Sequence, residues 1–241
     1  MIDWYFQFRK ADGAESVDKV KSKTILGFAQ LFCAMVFFLF APAWALNYWQ
    51  AWVFLFVFFA ATAYVTVFLW KKDPKLLERR VNAGPPAEKE TSQKIIQTIA
   101  AIAFLGTMVV PSLDHRYAWS DVPLGIVIAA DLLVALGYLI IFIVFRENTF
   151  TFAIIEVADD QKVISTGPYA IVRHPMYTGG LIMLFGTPLA LASWWGLPMF
   201  IPLAVAIVWR LLEEEKFLSK HLRGYSEYCQ KVRWRLIPLV F

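Results

Sequence analysis

Six apolar runs, separated by connectors whose positive charges fall on alternate sides, constrain this chain more than any other feature. The runs cover roughly residues 24–45, 48–70, 95–112, 123–145, 177–193 and 196–212. Apolar stretches of about 18 or more residues match the hydrocarbon thickness of a bilayer. With the N-terminus in the cytoplasm, the cytoplasmic segments are 1–23, 71–94, 146–176 and the tail from Arg210. They hold 22 of the 23 Lys and Arg, and Arg116 alone falls on the far side. Membrane proteins bias Lys and Arg to cytoplasmic loops in this way. A soluble protein has no reason to sort its charges by alternate loops. The expected fold is an all-α integral membrane protein with about six transmembrane helices, both termini cytoplasmic, and a cofactor pocket at the cytoplasmic side of the C-terminal helices.

Composition agrees. Hydrophobic residues make up 59% of the 241 residues, above the roughly 45–50% of soluble domains. The basic balance therefore reads as membrane orientation, and no nucleic-acid partner is expected, since no basic stripe is interleaved with exposed aromatics. The two cysteines, Cys33 and Cys229, lie in the first span and the tail and are not expected to pair. No CxxC, HExxH or strand-associated GxGxxG pattern occurs, and the three His are too few to suggest a metal site. His115 reads as a solvated interface residue. Asp131, in the fourth run, reads as interface placement or a helix–helix hydrogen bond.

The chain reads as one membrane domain, with an N-terminal four-helix part over 1–145 and a second part over 146–241. The second part carries the chemistry. Its connector, 146–176, is long for a compact domain, and such loops are usually functional. It ends in GPYAIVRHPMYTGG, residues 167–180. Pro175 suits the first turn of a helix and puts His174 at the N-cap. The helix start there is suited to an anion. Gly179, Gly180 and Gly186 let another helix or a ligand approach the backbone.

The second polar cluster is WRLLEEEKFL, residues 209–218. Carboxylates at a helix C-terminal end are unfavourable by about 0.3–1 kcal/mol each, so stability alone does not account for three of them. Arg210 and Glu214 are four apart and share a helix face. A ligand with a carboxylate, an ammonium or ribose hydroxyls, and a flat ring suits this set. S-adenosylmethionine has all of these. NADPH fits less well, because no cluster suits several phosphates.

GPYAIVRHPMYTGG, then Glu214, Glu215 and Leu218, then YSEYCQKVRWRLIP, together resemble the isoprenylcysteine carboxyl methyltransferases and the related phospholipid and thiol membrane methyltransferases. The likeness covers roughly residues 146–238. It implies an S-adenosylmethionine-dependent enzyme acting on a lipid-like or small hydrophobic methyl acceptor. It implies cofactor contacts from Gln161, Lys162, Val163, Ile164, Tyr169, His174, Pro175, Met176, Tyr177 and Glu214. It also puts Glu156 near a polar cofactor contact and Arg210 at the substrate side. The family arginine of the tail is Arg233 or Arg235, and the RLIP spacing favours Arg235. Where relatives often carry His before the cofactor segment, this chain has Gln161 and Lys162. The expected setting is a multi-pass protein of a bacterial inner membrane, with the active site facing the cytoplasm.

Overall fold

The computed structural model describes residues 2–81, 88, 90–151 and 161–241, without side chains for 2–19, 79 and 81. All regular structure among them is helical. The order is α1 (Ile2–Ala43), α2 (Trp49–Lys72), α3 (Pro74–Val81), α4 (Thr91–Tyr117), α5 (Leu124–Glu147), α6 (Pro175–Ala190), α7 (Phe200–His221) and α8 (Tyr225–Lys231). Short 3-10 turns at Gly167–Ala170 and Leu197–Met199 precede α6 and α7. Glu156 lies outside the described residues.

Four segments are long and apolar enough to cross a membrane: Val20–Ala43, Trp49–Lys72, Thr91–Tyr117 and Leu124–Glu147. Their outward faces carry Phe56, Ile102 and Leu132, all well exposed, as suits contact with lipid chains. These match the first four expected runs. The last two runs form shorter apolar helices. The 16 residues of α6 rise about 24 Å at 1.5 Å each. In α7 the second half carries Arg210, Glu213, Glu214, Glu215, Lys216 and Lys220, which leaves only its first half apolar.

Local chemistry sets the breaks. Asp73 ends α2 and opens α3, its Oδ1 accepting from the Leu76 amide at 3.0 Å, with Pro74 in the first turn. The amphipathic α3 buries Leu76 and Leu77 against Val65, Leu69 and Phe145. That contact tucks α3 beneath the ends of α2 and α5 and places the Arg80 guanidinium 5.4 Å from the Phe145 ring centre.

The tightest helix pair is α5 with α6. A Cβ built on Gly137 would sit 2.5 Å from the Gly179 carbonyl oxygen. One on Gly179 would sit 2.8 Å from that of Gly137, and one on Gly186 would sit 2.9 Å from that of Ala130. The pairing of 137 with 179 and 130 with 186 makes the helices antiparallel and nearly backbone to backbone. Small residues permit such approach. Gly180, by contrast, faces open space.

A polar knot joins the connector after α4 to the one after α6. Buried Asp114 accepts from the Ser120 amide at 2.7 Å, the Ser120 hydroxyl at 2.6 Å, and the Ser193 hydroxyl. His115 stacks on buried Tyr48 at 4.1 Å between ring centres, so it is a packed residue as well as an interfacial one. Asp131 is buried.

Gly137→Ala should destabilise the protein by about 1–3 kcal/mol, the usual cost of overpacking. Gly125→Ala, on the same helix but with open space around it, should leave the melting temperature in detergent nearly unchanged.

Candidate active site

The cavity of interest opens where residues 148–151 and 161–174 meet the N-terminal end of α6 and the polar half of α7. The space it encloses together with its open mouth is about 840 Å³. Three stretches build it. The connector supplies Asn148, Thr151, Gln161, Lys162, Val163, Ile164 and Tyr169. The start of α6 supplies Arg173, His174, Pro175, Met176 and Tyr177, and α7 supplies Arg210, Glu214 and Leu218. Tyr225 and Tyr228 of α8 close one side.

Three successive carboxylates on α7 have three different partners, because each residue turns about 100° from the last. Glu213 points outward to Lys216 at 2.7 Å. Glu214 points into the cavity and accepts from the Tyr177 hydroxyl at 2.7 Å. Glu215 points to the far side, where it is buried between two arginines and the His174 ring. Arg173 Nη1 lies 3.0 Å and His174 Nε2 3.2 Å from Glu215 Oε1, and Arg235 Nε lies 2.9 Å from Oε2. Burial alone would raise the Glu215 carboxyl. The hydrogen bonds from His174 and Arg235, with the His174 and Arg173 charges, hold it below the ordinary carboxylate range instead.

The same cluster fixes the C-terminal tail. The Arg173 and His174 amides donate to the carbonyls of Trp234 and Arg235, each at 2.9 Å. Thr178 Oγ1 donates to the Leu236 carbonyl at 2.8 Å, and Arg173 Nη2 to that of Arg233 at 3.0 Å. The tail thus runs across the entry to α6 as a strap. Arg235 stacks its guanidinium 5.2 Å from the Phe241 ring centre.

Arg210 is held from two directions. Its Nε donates to the Tyr177 hydroxyl at 3.2 Å, and its Nη1 to Glu88 Oε1 at 2.8 Å and Gln93 Oε1 at 3.0 Å. Arg210 and Glu214, spaced for one helix face, thus meet through the Tyr177 hydroxyl. Tyr169 accepts at its hydroxyl from Asn148 Nδ2 at 3.0 Å, and its carbonyl accepts from Tyr228 Oη at 2.7 Å. Burial pushes the Tyr169 hydroxyl up to about 12, so it stays protonated across the physiological range.

All ten residues expected at the cofactor line this one cavity, and Arg210 lies beside them. Arg235 is outside the lining, on the Glu215 side. His174 caps α6 as expected, with its ring turned to Glu215. Sequence reasoning did not single out Glu88, Arg80, Tyr225 or the task of Glu215. Arg80 is near enough to Tyr177, Glu214 and Arg210 to feel their charges. The fixed spacing of Glu213 to Glu215 could have revealed that their roles differ. Nothing local marks Glu88, whose partner is 122 residues away.

With that geometry in place, comparison with known proteins becomes informative. The phospholipid methyltransferase family matches residues 126–224. The chain is also 33% identical over 129 residues to a protein of Oryza sativa subsp. indica named "Probable protein-S-isoprenylcysteine O-methyltransferase", covering 51% of this chain and 63% of that one. It is 29% identical over 145 residues to protein-S-isoprenylcysteine O-methyltransferase B of Arabidopsis thaliana, covering 57% and 66%. A delta(14)-sterol reductase of Mus musculus is 33% identical over 90 residues, covering 36% of this chain and 22% of the reductase. The match spans less than two thirds of each of these relatives. The resemblance to membrane methyltransferases therefore stands. The matched family segment contains α5 to α7 and so the greater part of the cavity wall.

Glu215→Ala should cost about 3–5 kcal/mol, because it strands buried cations. Glu213→Ala, which removes an exposed pair, should cost less than about 1 kcal/mol. Thermal unfolding of the two variants in detergent checks the difference.

Proposed function

We propose that this protein is an S-adenosylmethionine-dependent integral membrane methyltransferase acting on a lipid-like or small hydrophobic acceptor. One observation carries the reading. The residues that the resemblance assigns to the cofactor converge on one cavity, and three buried polar atoms in its lining have no hydrogen-bond partner among the described residues. They are Tyr225 Oη, Thr151 Oγ1 and Arg173 Nε. Buried polar atoms are rarely left unpaired, so a ligand with several polar groups suits this wall.

The residues fit that cofactor. Arg173 and its neighbours suit a carboxylate. Glu214 suits an ammonium group or hydroxyls. The Tyr169, Tyr225 and Tyr228 rings suit a flat base. When bound, S-adenosylmethionine supplies a methyl group on a positively charged sulfur. The protein's own part is alignment and exclusion of water. Bringing two reactants to near-attack distance can supply much of the rate enhancement, and the strap and α8 limit water on the tail side. Tyr177 orients both Glu214 and Arg210, which fixes the boundary between the cofactor side and the acceptor side. Arg210, on the other side of Tyr177 from Glu214, orients the acceptor. Arg235 acts on this site through Glu215 and the strap.

In this reading α6 and the apolar half of α7 supply two further membrane crossings, making six, with both termini on the cytoplasmic face. The chain is a single membrane domain in which 1–145 forms the lipid-side frame and 146–241 the cofactor-binding part. A bacterial inner membrane, with the cavity open to the cytoplasm, fits the charge bias. The mouse reductase likeness supports a second reading, an NADPH-dependent lipid reductase. The absence of a multi-phosphate cluster among the described lining residues weighs against it.

Calorimetric titration of the detergent-purified protein with S-adenosylhomocysteine tests the proposal, with NADPH as control. Binding should be present in the wild type and at least about tenfold weaker in Glu214→Ala, as expected for loss of a charged partner. Tyr225→Phe should weaken it about three- to tenfold, the worth of one hydrogen bond. NADPH binding in place of S-adenosylhomocysteine would move the protein to the reductase reading.

A further inference from the structure

The acceptor side of the cavity is shaped by residues that precede the family segment. Arg210 is the cation there, and it already has a buried carboxylate partner. Glu88 is 5% exposed. Its Oε1 accepts from Arg210 Nη1 at 2.8 Å and also from Gln97 Nε2. Gln93, buried at the start of α4, accepts a second hydrogen bond from the same Nη1 at 3.0 Å. A buried carboxylate is stable only when paired, and Arg210 is the charged partner that Glu88 has. At this separation in a shielded site the two fields largely cancel beyond a few ångströms. At the Tyr177 hydroxyl, which Arg210 and Glu214 share, the arginine thus arrives already matched by Glu88.

Such a site offers an anionic acceptor hydrogen bonds without a net counter-charge. We infer that Glu88 is a specificity-determining residue: by neutralising Arg210 it selects against acceptors whose reacting atom is anionic and favours acceptors uncharged at that atom. The inference rests on the methyltransferase reading. With an uncharged nitrogen acceptor, the lone pair forms the carbon–nitrogen bond as the carbon–sulfur bond breaks and its electron pair stays on sulfur. The positive charge passes from sulfur to nitrogen, and any proton on that nitrogen leaves later to water. No base is needed for the transfer. Glu214, on the cavity wall, faces the charge throughout. With a carboxylate acceptor both charges vanish, and before transfer the anion must be held by an arginine whose charge is already offset. The residue acts through Arg210, so it is a positioning residue in the sense that it does not itself line the cavity.

The test uses the full chain in lipid nanodiscs, wild type beside Glu88→Gln and Glu88→Asp. Glu88→Gln keeps an oxygen for Arg210 and Gln97 and removes only the charge. Two probes with the same tail, dodecanoate and a dodecylpyridine, are titrated into protein saturated with S-adenosylhomocysteine, and methyl transfer to each is followed separately. Wild type should bind the pyridine at least about tenfold more tightly than dodecanoate, a difference within the coupling energies of close charge pairs. Glu88→Gln should tighten dodecanoate about tenfold and leave the pyridine unchanged or weaker, with the same shift in the kcat/KM ratio and no change in KM for S-adenosylmethionine. Glu88→Asp should follow the wild type. Wild-type preference for dodecanoate, or a folded Glu88→Gln whose ratio of affinities stays within about twofold of wild type, overturns the inference. Should Glu88→Gln not fold, the wild-type preference alone decides it. Loss of S-adenosylhomocysteine binding by the wild type would instead overturn the methyltransferase reading, which separates the two failures.

Discussion

The grip on Glu215 is the contact on which the site depends. One buried carboxylate faces Arg173 and His174, from the entry to α6, and Arg235, from the tail. Among the described residues no sheet closes this end of the molecule, and both cysteines are free. The connector, the tail and α7 must therefore be held by side chains. A lone carboxylate in that position would be costly, and so would two arginines crowded there without it. Together they offset each other, and the backbone hydrogen bonds from Arg173 and His174 to the strap add direction. The start of α6 is thereby fixed relative to α7, and that relation sets the distance from Tyr177 to Glu214.

The remaining frame is apolar and steric. Gly137 and Gly179 bring α5 and α6 to backbone contact, which carries the end of α5, with Asn148, to the cavity rim. Gly106 performs a similar task for the start of α7, where a Cβ would lie 2.9 Å from the sulfur of Met199. At the opposite end Asp114 ties the connector after α4 to the one after α6 through Ser120 and Ser193. Rigid ends and glycine contacts leave the cavity as the place where irregular chain gathers. Irregular backbone at membrane depth is tolerated only where protein buries it or it lines a cavity.

Legibility in the sequence followed the range of each interaction. Apolar runs and loop charges are local signals, and they locate α2, α4, α5 and the apolar stretch Val20–Ala43 of α1, though not the start of α1 at Ile2. Pro175, His174 and Tyr177 belong to one turn, so their arrangement at the start of α6 could be read from spacing alone. The shorter α6 was less legible. Pro188 lies within it, yet the helix ends only at Ala190, and Ala192 then takes a left-handed conformation. The adjacent Glu214 and Glu215 look alike in sequence and differ only in what the rest of the fold brings to each. Glu88 is the extreme case. A charged, Pro-rich connector reads as a solvated loop, and only the folded chain brings its carboxylate to Arg210.

That contrast bears on how such proteins diverge. This chain resembles proteins named for methyl transfer and one named for sterol reduction, each at about one-third identity. The family segment begins at residue 126, after both Arg80 and Glu88. Charge supplied by residues before that segment reaches the cavity through Arg210, across the Tyr177 hydroxyl from Glu214. A change of one carboxylate there would alter the field around Arg210 and leave Tyr177, Glu214 and the strap in place. In this architecture one side of the cavity can therefore change while the helices that build the other wall are retained.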